Sequence, residues 1–320
     1  IEAEVSSLKV IKIAPRGYCS GVIGALNIVQ DAALNETLPR PIYVLGMIVH
    51  NEHITKAIDD LGVITVDDKS KTRDELLDQI DTGTVIFTAH GISPSVKQKA
   101  IDKGLTVIDA SCKDVIKTHV LMKEHIDAGY DVIYIGKQGH PETEGALGVD
   151  PEHIHLISKA NELEGLNLDN EKIIITNQTT MSLWDVYSLS QKIQEKFPQA
   201  QFIKEICNAT QVRQEAVATQ AIEADLTIVV GDPHSNNTAR LSQISIERAN
   251  TPSYRIASLE DLDLNWLKEV ETVAVTAGAS TPTPITKEVI DFLEAYDKND
   301  PSTWNTTSHI TSDKVLFKRK

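Results

Sequence analysis

Cysteine is scarce in this chain, three residues in 320, and none belongs to a CxxC pair. An odd count spread so thinly argues against a secreted disulfide framework, and the lack of finger-type Cys or His spacing argues against a closed structural zinc site. No run of about 18 apolar residues occurs, and the start IEAEVSSLKV has no basic segment followed by an apolar one, so a soluble, cytoplasmic protein is expected. Cations are also in deficit: 31 Lys and Arg against 46 Asp and Glu leave a net charge of −15. That balance disfavours nucleic acid and anionic membranes as partners of the surface as a whole, and any anionic ligand must be captured locally. A GxGxxG fingerprint is missing too, since Gly17, Gly21 and Gly24 are spaced differently, which argues against direct NAD(P)H binding.

What is present is an ordinary globular composition, 41% hydrophobic and 24% charged, at a length that suggests two or three domains. The chain is organised around residues 11–24, IKIAPRGYCSGVIG, where a short β-branched run ends and Cys19 sits on the turn into an apolar, helix-like segment. Unpaired amides and the macrodipole at a helix N-terminus favour an anionic, metal-bound sulfur. Cys112 in LTVIDASCKDV and Cys207 in AQFIKEICNAT occupy the same kind of place, and positions 19, 112 and 207 are almost evenly spaced.

A four-strand cycle is legible three times. It runs KVIKIA, PIYVLG, VITV and TVIFTA, then LTVIDA, DVIYIG, HIHLIS and KIIITN, then AQFIKEI, LTIVVG, SYRIAS and TVAVTA, with helical patterns between. Short, nearly continuous apolar strands alternating with helices mean parallel sheets covered by helices. The expected fold is α/β: three pseudo-symmetric units, each a mostly parallel four-stranded sheet flanked by helices, in a trefoil around a central cavity. The units span 8–108, 109–203 and 204–298, and 299–320 is a polar tail without a clear period. Ser93 and Pro94 read as an N-cap and first helical residue of a helix that Gly104 ends, and Gly129 closes the helix after Cys112.

Ligands of open parallel sheets gather outside the carboxyl ends of the strands. There the second strand of each cycle leads into a loop with His50, Asn51 and Glu52, then His140, Pro141 and Glu142, then Ser235, Asn236 and Asn237. The fourth leads into His90, then Thr179 and Thr180, then Ser280. Three converging thiolates are one short of the usual four for a [4Fe-4S] cluster, which leaves one iron free to act as a Lewis acid on a substrate oxygen. His50, His90, His140, Ser235, Asn236, Asn237 and Ser280 form a donor set that suits phosphate or diphosphate. Glu142, flanked by a histidine and a glycine turn, is the candidate general acid, with Glu144, Glu52 and Asp232 as competitors. Thr179 and Thr180 are placed to relay a proton or bind a hydroxyl. A redox-neutral hydro-lyase with a three-cysteine cluster and a non-catalytic, cluster-bound phosphometabolite sensor are the alternative readings.

At these residues the sequence resembles the IspH/LytB family, the hydroxymethylbutenyl diphosphate reductases of the non-mevalonate isoprenoid pathway. The resemblance rests on PRGYCSGV, VHN at 49–51, AHG at 89–91, DASC at 109–112, GHPETEG at 139–145, QTT at 178–180, EICNATQVRQEAV at 205–217, VVGDPHSNNTARL at 229–241 and TAGAS at 276–280. It implies an oxygen-sensitive [4Fe-4S] cluster on Cys19, Cys112 and Cys207, and two-electron, two-proton removal of water from an allylic alcohol diphosphate to give isopentenyl and dimethylallyl diphosphates. Reduced ferredoxin or flavodoxin would supply the electrons. Carried over, His50, His90, Ser235, Asn237 and Ser280 would hold the diphosphate with His140 beside them, Glu142 would supply the proton, and Thr179 would contact the substrate hydroxyl. Two positions depart from the family pattern: Lys113 stands where proline is frequent, and Asn236 where serine is.

Overall fold

The structure, a computed structural model, describes residues 6–317. Its strands are β1 (Lys9–Lys12), β2 (Ile42–Leu45), β3 (Val63–Val66), β4 (Thr84–Phe87), β5 (Thr106–Asp109), β6 (Asp131–Ile135), β7 (Ile154–Ile157), β8 (Ile173–Asn177), β9 (Gln201–Phe202), β10 (Leu226–Val230), β11 (Ser253–Ile256) and β12 (Thr272–Ala277). They form three four-stranded sheets in the orders β1-β12-β10-β11, β3-β2-β4-β5 and β7-β6-β8-β9. All nine strand pairs within these sheets are parallel.

Helices fill the connections: α1 (Ser20–Leu34), α2 (Glu52–Asp59), α3 (Arg73–Leu77), α4 (Pro94–Asp102), α5 (Lys113–Asp127), α6 (Pro141–Leu147), α7 (Leu183–Lys196), α8 (Asn208–Gln220), α9 (Asn236–Arg248), α10 (Thr283–Ala295) and α11 (Ser312–Val315). The three parallel four-stranded sheets flanked by helices are those expected. The caps follow local chemistry as well. Ser93 Oγ accepts from the Val96 amide with Pro94 in the first turn, and Gly104 (φ +75°) and Gly129 (φ +86°) lie just beyond the ends of α4 and α5.

Sheet membership differs from the grouping along the chain by one strand. The run expected to open each cycle instead forms an edge of another cycle's sheet: β5 pairs with β4, β9 with β8, and β1 with β12 of the last sheet. β5 and β9 each follow their partner strand along the chain and dock beside it, so the segments leading to Cys112 and Cys207 complete the sheets already begun, whereas β1, leading to Cys19, is joined from the far end of the chain by β12. These edges are also the weakest strands. β10 and β8 are buried throughout, whereas β1 is exposed at both ends and β9 keeps two residues of the longer run expected.

Two compact units result. One comprises Ile1–Ser20, His50–Ala57 and Asn208–Lys320, and the other Gly21–Val49 and Ile58–Cys207. The first has a core of Ile228, Val230, Val273 and Val275 against Val289 and Leu293 of α10. The second has several, among them one around Ile133, Ile175 and Ile193, one around Leu45, Leu77, Val85 and Phe87, and one around Met122, Val132 and Tyr134. Each such fully buried side chain contributes about 1.5–3 kcal/mol.

The tail left unassigned by sequence is anchored in the first unit. Trp304 Nε1 donates to the Asp297 carbonyl (2.8 Å), Ser308 Oγ and the His309 amide donate to the Glu288 carboxylate (both 2.6 Å), and Val315 is buried. Its last described residue, Phe317, lies 5.7 Å, centroid to centroid, from the ring of Tyr18.

Candidate active site

In the second unit the chemistry converges on Glu142. His140 N-caps α6 and Pro141 sets its first turn, so the next residue, Glu142, points from a fixed backbone. The His140 Nδ1 accepts the Glu142 amide at 3.1 Å, which puts the ring proton of the neutral imidazole on Nε2. Glu142 is only 3% exposed, and its carboxylate takes two hydrogen bonds from one residue, the Thr179 amide to Oε1 (2.7 Å) and Thr179 Oγ1 to Oε2 (3.1 Å). Burial pushes its pKa up to about 7 against the opposing pull of those two bonds, and the Asp114 charge adds to the rise.

Thr179 is itself held at the end of β8, where its carbonyl accepts the Cys207 amide at 3.2 Å. Beside it, Gln178 Oε1 accepts from the Lys137 amide and Thr143 Oγ1, while its Nε2 donates to Thr180 Oγ1 (3.2 Å). Gly136 permits this closeness, since a Cβ there would meet Tyr134 at 2.7 Å and Thr143 Oγ1 at 2.9 Å. His90 follows β4, keeps Nδ1 3.2 Å from Thr88 Oγ1, and sets its ring edge-on to His140 with centroids 5.5 Å apart. The carbonyl before it, on Ala89, accepts the Cys112 amide at 3.0 Å. Thus the loops after β4 and β8 each fix a cysteine backbone and a polar side chain together.

In the first unit the expected anion ligands cluster around the N-terminus of α9. Ser235 caps it through Thr238, and Asn237 Oδ1 accepts the Ala279 amide at 2.9 Å. Asn237 Nδ2 is buried with no hydrogen-bond partner among the described residues, an unsatisfied donor. Asn236 is also buried. The strand ends come close to this helix because Gly231 and Gly278 have no side chain: a Cβ at these positions would lie 2.4 and 2.3 Å from Thr238 Oγ1. Ser280 Oγ donates to the His50 carbonyl at 2.9 Å, and Asn51 Oδ1 caps α2 through the Ile54 amide. Cys19 follows the Gly17 turn (φ +69°), and its amide points to the Ala279 carbonyl at 3.4 Å.

Of the competitors of Glu142, Glu52 is exposed and the other two have carboxylates occupied elsewhere. Glu144 accepts the Arg73 amide at 2.7 Å, and Asp232 accepts the amides of Glu52 (3.2 Å) and His234 (2.7 Å). Three supporting residues were missed from sequence. Arg213 of α8 is 6% exposed and bonds the carbonyls of Gly17 and Tyr18. Arg73 is buried so tightly against Gly46 that a Cβ there would sit 2.5 Å from its guanidinium. His119, lowered to about 4 by burial and therefore neutral, packs beside Gly91 and Gly145. The signal available was position: a cation or imidazole on the apolar stripe of a helix next to a site motif.

A buried carboxyl whose pKa is raised to about 7, among hydroxyl and imidazole groups at the carboxyl ends of parallel strands, is the arrangement expected of an α/β enzyme site. The LytB protein family model matches residues 10–294. A protein of Geobacillus kaustophilus named 4-hydroxy-3-methylbut-2-enyl diphosphate reductase is 58% identical over 313 residues, 98% of each chain. One of the same name from Bacillus cytotoxicus is 60% identical over 309 residues, 97% of this chain and 98% of that one. The solved structure of the E-1-hydroxy-2-methyl-but-2-enyl-4-diphosphate reductase from Plasmodium falciparum superposes with a TM-score of 0.84 at 34% identity, covering 93% of this chain and 90% of that one. The chain belongs to the LytB family of reductases.

Proposed function

We propose that this enzyme converts 4-hydroxy-3-methylbut-2-enyl diphosphate to isopentenyl and dimethylallyl diphosphates, taking up two electrons and two protons and releasing water. Cys19, Cys112 and Cys207 would hold a [4Fe-4S] cluster. The donor set fits: three thiols, none in a disulfide among the described residues, each between a strand end and a helix start. When bound, that group supplies single electrons and a Lewis-acidic iron without a protein ligand. Reduced ferredoxin or flavodoxin in the cytoplasm is the proposed electron source. No described helix is long and apolar enough to cross a membrane.

The chain's own residues do the rest. The α9 N-terminus with Ser235, Asn236 and Asn237, together with Ser280, His50 and His90, binds the diphosphate through hydrogen bonds, and the unsatisfied Asn237 Nδ2 supports that role. His140, with its proton on Nε2, offers a neutral donor beside His90. Glu142, protonated over much of the neutral range, gives its proton to the departing hydroxyl, while Thr179 orients that carboxyl and contacts the same hydroxyl. The observation carrying this reading is the buried Glu142 carboxyl, raised to about 7 and gripped by the residue whose carbonyl fixes Cys207. The test is anaerobic turnover of the allylic alcohol diphosphate with a reduced dye, analysed for the two isomeric products. Turnover to a hydrated or dehydrated product without reductant would indicate the hydro-lyase instead.

A further inference from the structure

Arg213 is a buried cation that no part of the proposed chemistry uses. It lies on α8, which begins at Asn208, immediately after Cys207. Its side chain folds back along its own helix, Nη1 donating to the Ala209 carbonyl at 2.9 Å. The other edge of the guanidinium reaches the loop that precedes Cys19: Nε and Nη2 donate to the Gly17 carbonyl (3.1 and 2.8 Å), and Nη2 also donates to the Tyr18 carbonyl (2.9 Å). The two peptides leading into Cys19 are therefore held by one rigid, planar, always charged group. Gly17 needs such a clamp, because its left-handed turn is a conformation that glycine otherwise leaves easily.

We infer that Arg213 is the positioning residue for Cys19, locking the loop 16–19 to the helix that Cys207 leads into. Resting on the proposed cluster assignment, it follows that Arg213 sets how well one sulfur ligand is preorganised relative to the helix following another. A lysine keeps the charge but not the fork. Its single ammonium cannot span both carbonyls and the Ala209 carbonyl at once. Removing the donors altogether leaves the Gly17 carbonyl buried and unmatched.

The test starts with the metal-free chain. Amide hydrogen exchange over residues 16–22 is compared in the wild type, Arg213→Gln and Arg213→Lys, with 84–87 and 226–230 as internal references. Exchange over 16–22 should quicken at least about tenfold in Arg213→Gln, the equivalent of one charge-assisted hydrogen bond. Arg213→Lys should fall between, and the references should not move. In the reconstituted protein the same order should appear in the rate of iron release to a chelator, and the reduction potential should fall in Arg213→Gln more than in Arg213→Lys. Should Arg213→Gln not accumulate folded, Arg213→Lys carries the same comparison. Exchange over 16–22 indistinguishable from wild type in either folded variant overturns the inference. Absence of iron and sulfide from anaerobically purified wild type would instead remove the cluster assignment and leave the exchange result standing.

Discussion

Thr179 grips Glu142 at both carboxylate oxygens, through its amide at 2.7 Å and its hydroxyl at 3.1 Å. Both bonds favour the ionised carboxylate, yet burial outweighs them and the group titrates near 7. The balance of those two effects lets Glu142 carry a proton near neutral pH rather than stand as a fixed anion, the state that its proposed role as proton donor requires.

Glu142→Gln should keep the cluster and bind substrate while losing about a hundredfold to ten-thousandfold in kcat, the usual worth of a general acid. In the wild type kcat should fall as pH rises through about 7, because only the protonated carboxyl can donate. Near-normal turnover by the Gln variant, checked under anaerobic assay, would remove Glu142 from the mechanism.

The same shift bears on stability. The folded pKa lies above the ordinary glutamate value of 4.5, so the stabilisation of the folded state linked to this proton is complete below about 4.5 and lost as pH rises through about 7. Glu142→Gln, which cannot ionise, should therefore gain in urea midpoint relative to wild type between about pH 5 and 8. Parallel midpoints across that window would mean the carboxyl is not held as described.

Thr179→Val deletes the hydroxyl bond and keeps the amide one. Because the lost bond favoured the anion, the limb of the kcat profile assigned to Glu142 should move to higher pH, with a lower plateau from the misoriented carboxyl. A pH–rate series answers this directly, and a shift to lower pH would contradict it.

Asn237→Asp preserves the acceptor for the Ala279 amide but replaces the buried, unsatisfied Nδ2 donor with anionic oxygen. KM for the diphosphate should rise at least about tenfold, consistent with loss of one charge-assisted contact and added repulsion, with a smaller change in kcat. An unchanged KM would take Asn237 out of the diphosphate site.

Much of this could be read from the chain. Ser93 followed by Pro94 states a helix start in local chemistry, and each cysteine announces itself between a β-branched run and a helical one. Ser93→Ala should cost about 1 kcal/mol of stability and leave kcat intact. What could not be read depends on contacts distant in sequence. Nothing in KVIK says that it closes the sheet of β12, which begins more than 250 residues later. The tail has no period because it is pinned by single hydrogen bonds to α10 and Asp297, not by an amphipathic face. Arg213 and Arg73 read as solvated charges until the structure shows carbonyls, or a glycine, taking the place of water. Among four candidate acids, the sequence favoured Glu142 by its neighbours, and the distinguishing fact is that backbone amides claim Glu144 and Asp232 elsewhere.

The central claim is that three cysteines hold four irons and leave one open to substrate. Mössbauer spectra of the anaerobically purified protein, recorded with and without the allylic alcohol diphosphate, test it most directly. The account predicts that substrate changes about one quarter of the iron signal and leaves the rest in place. A spectrum with no cluster iron, or one in which all irons are alike and indifferent to substrate, would contradict it.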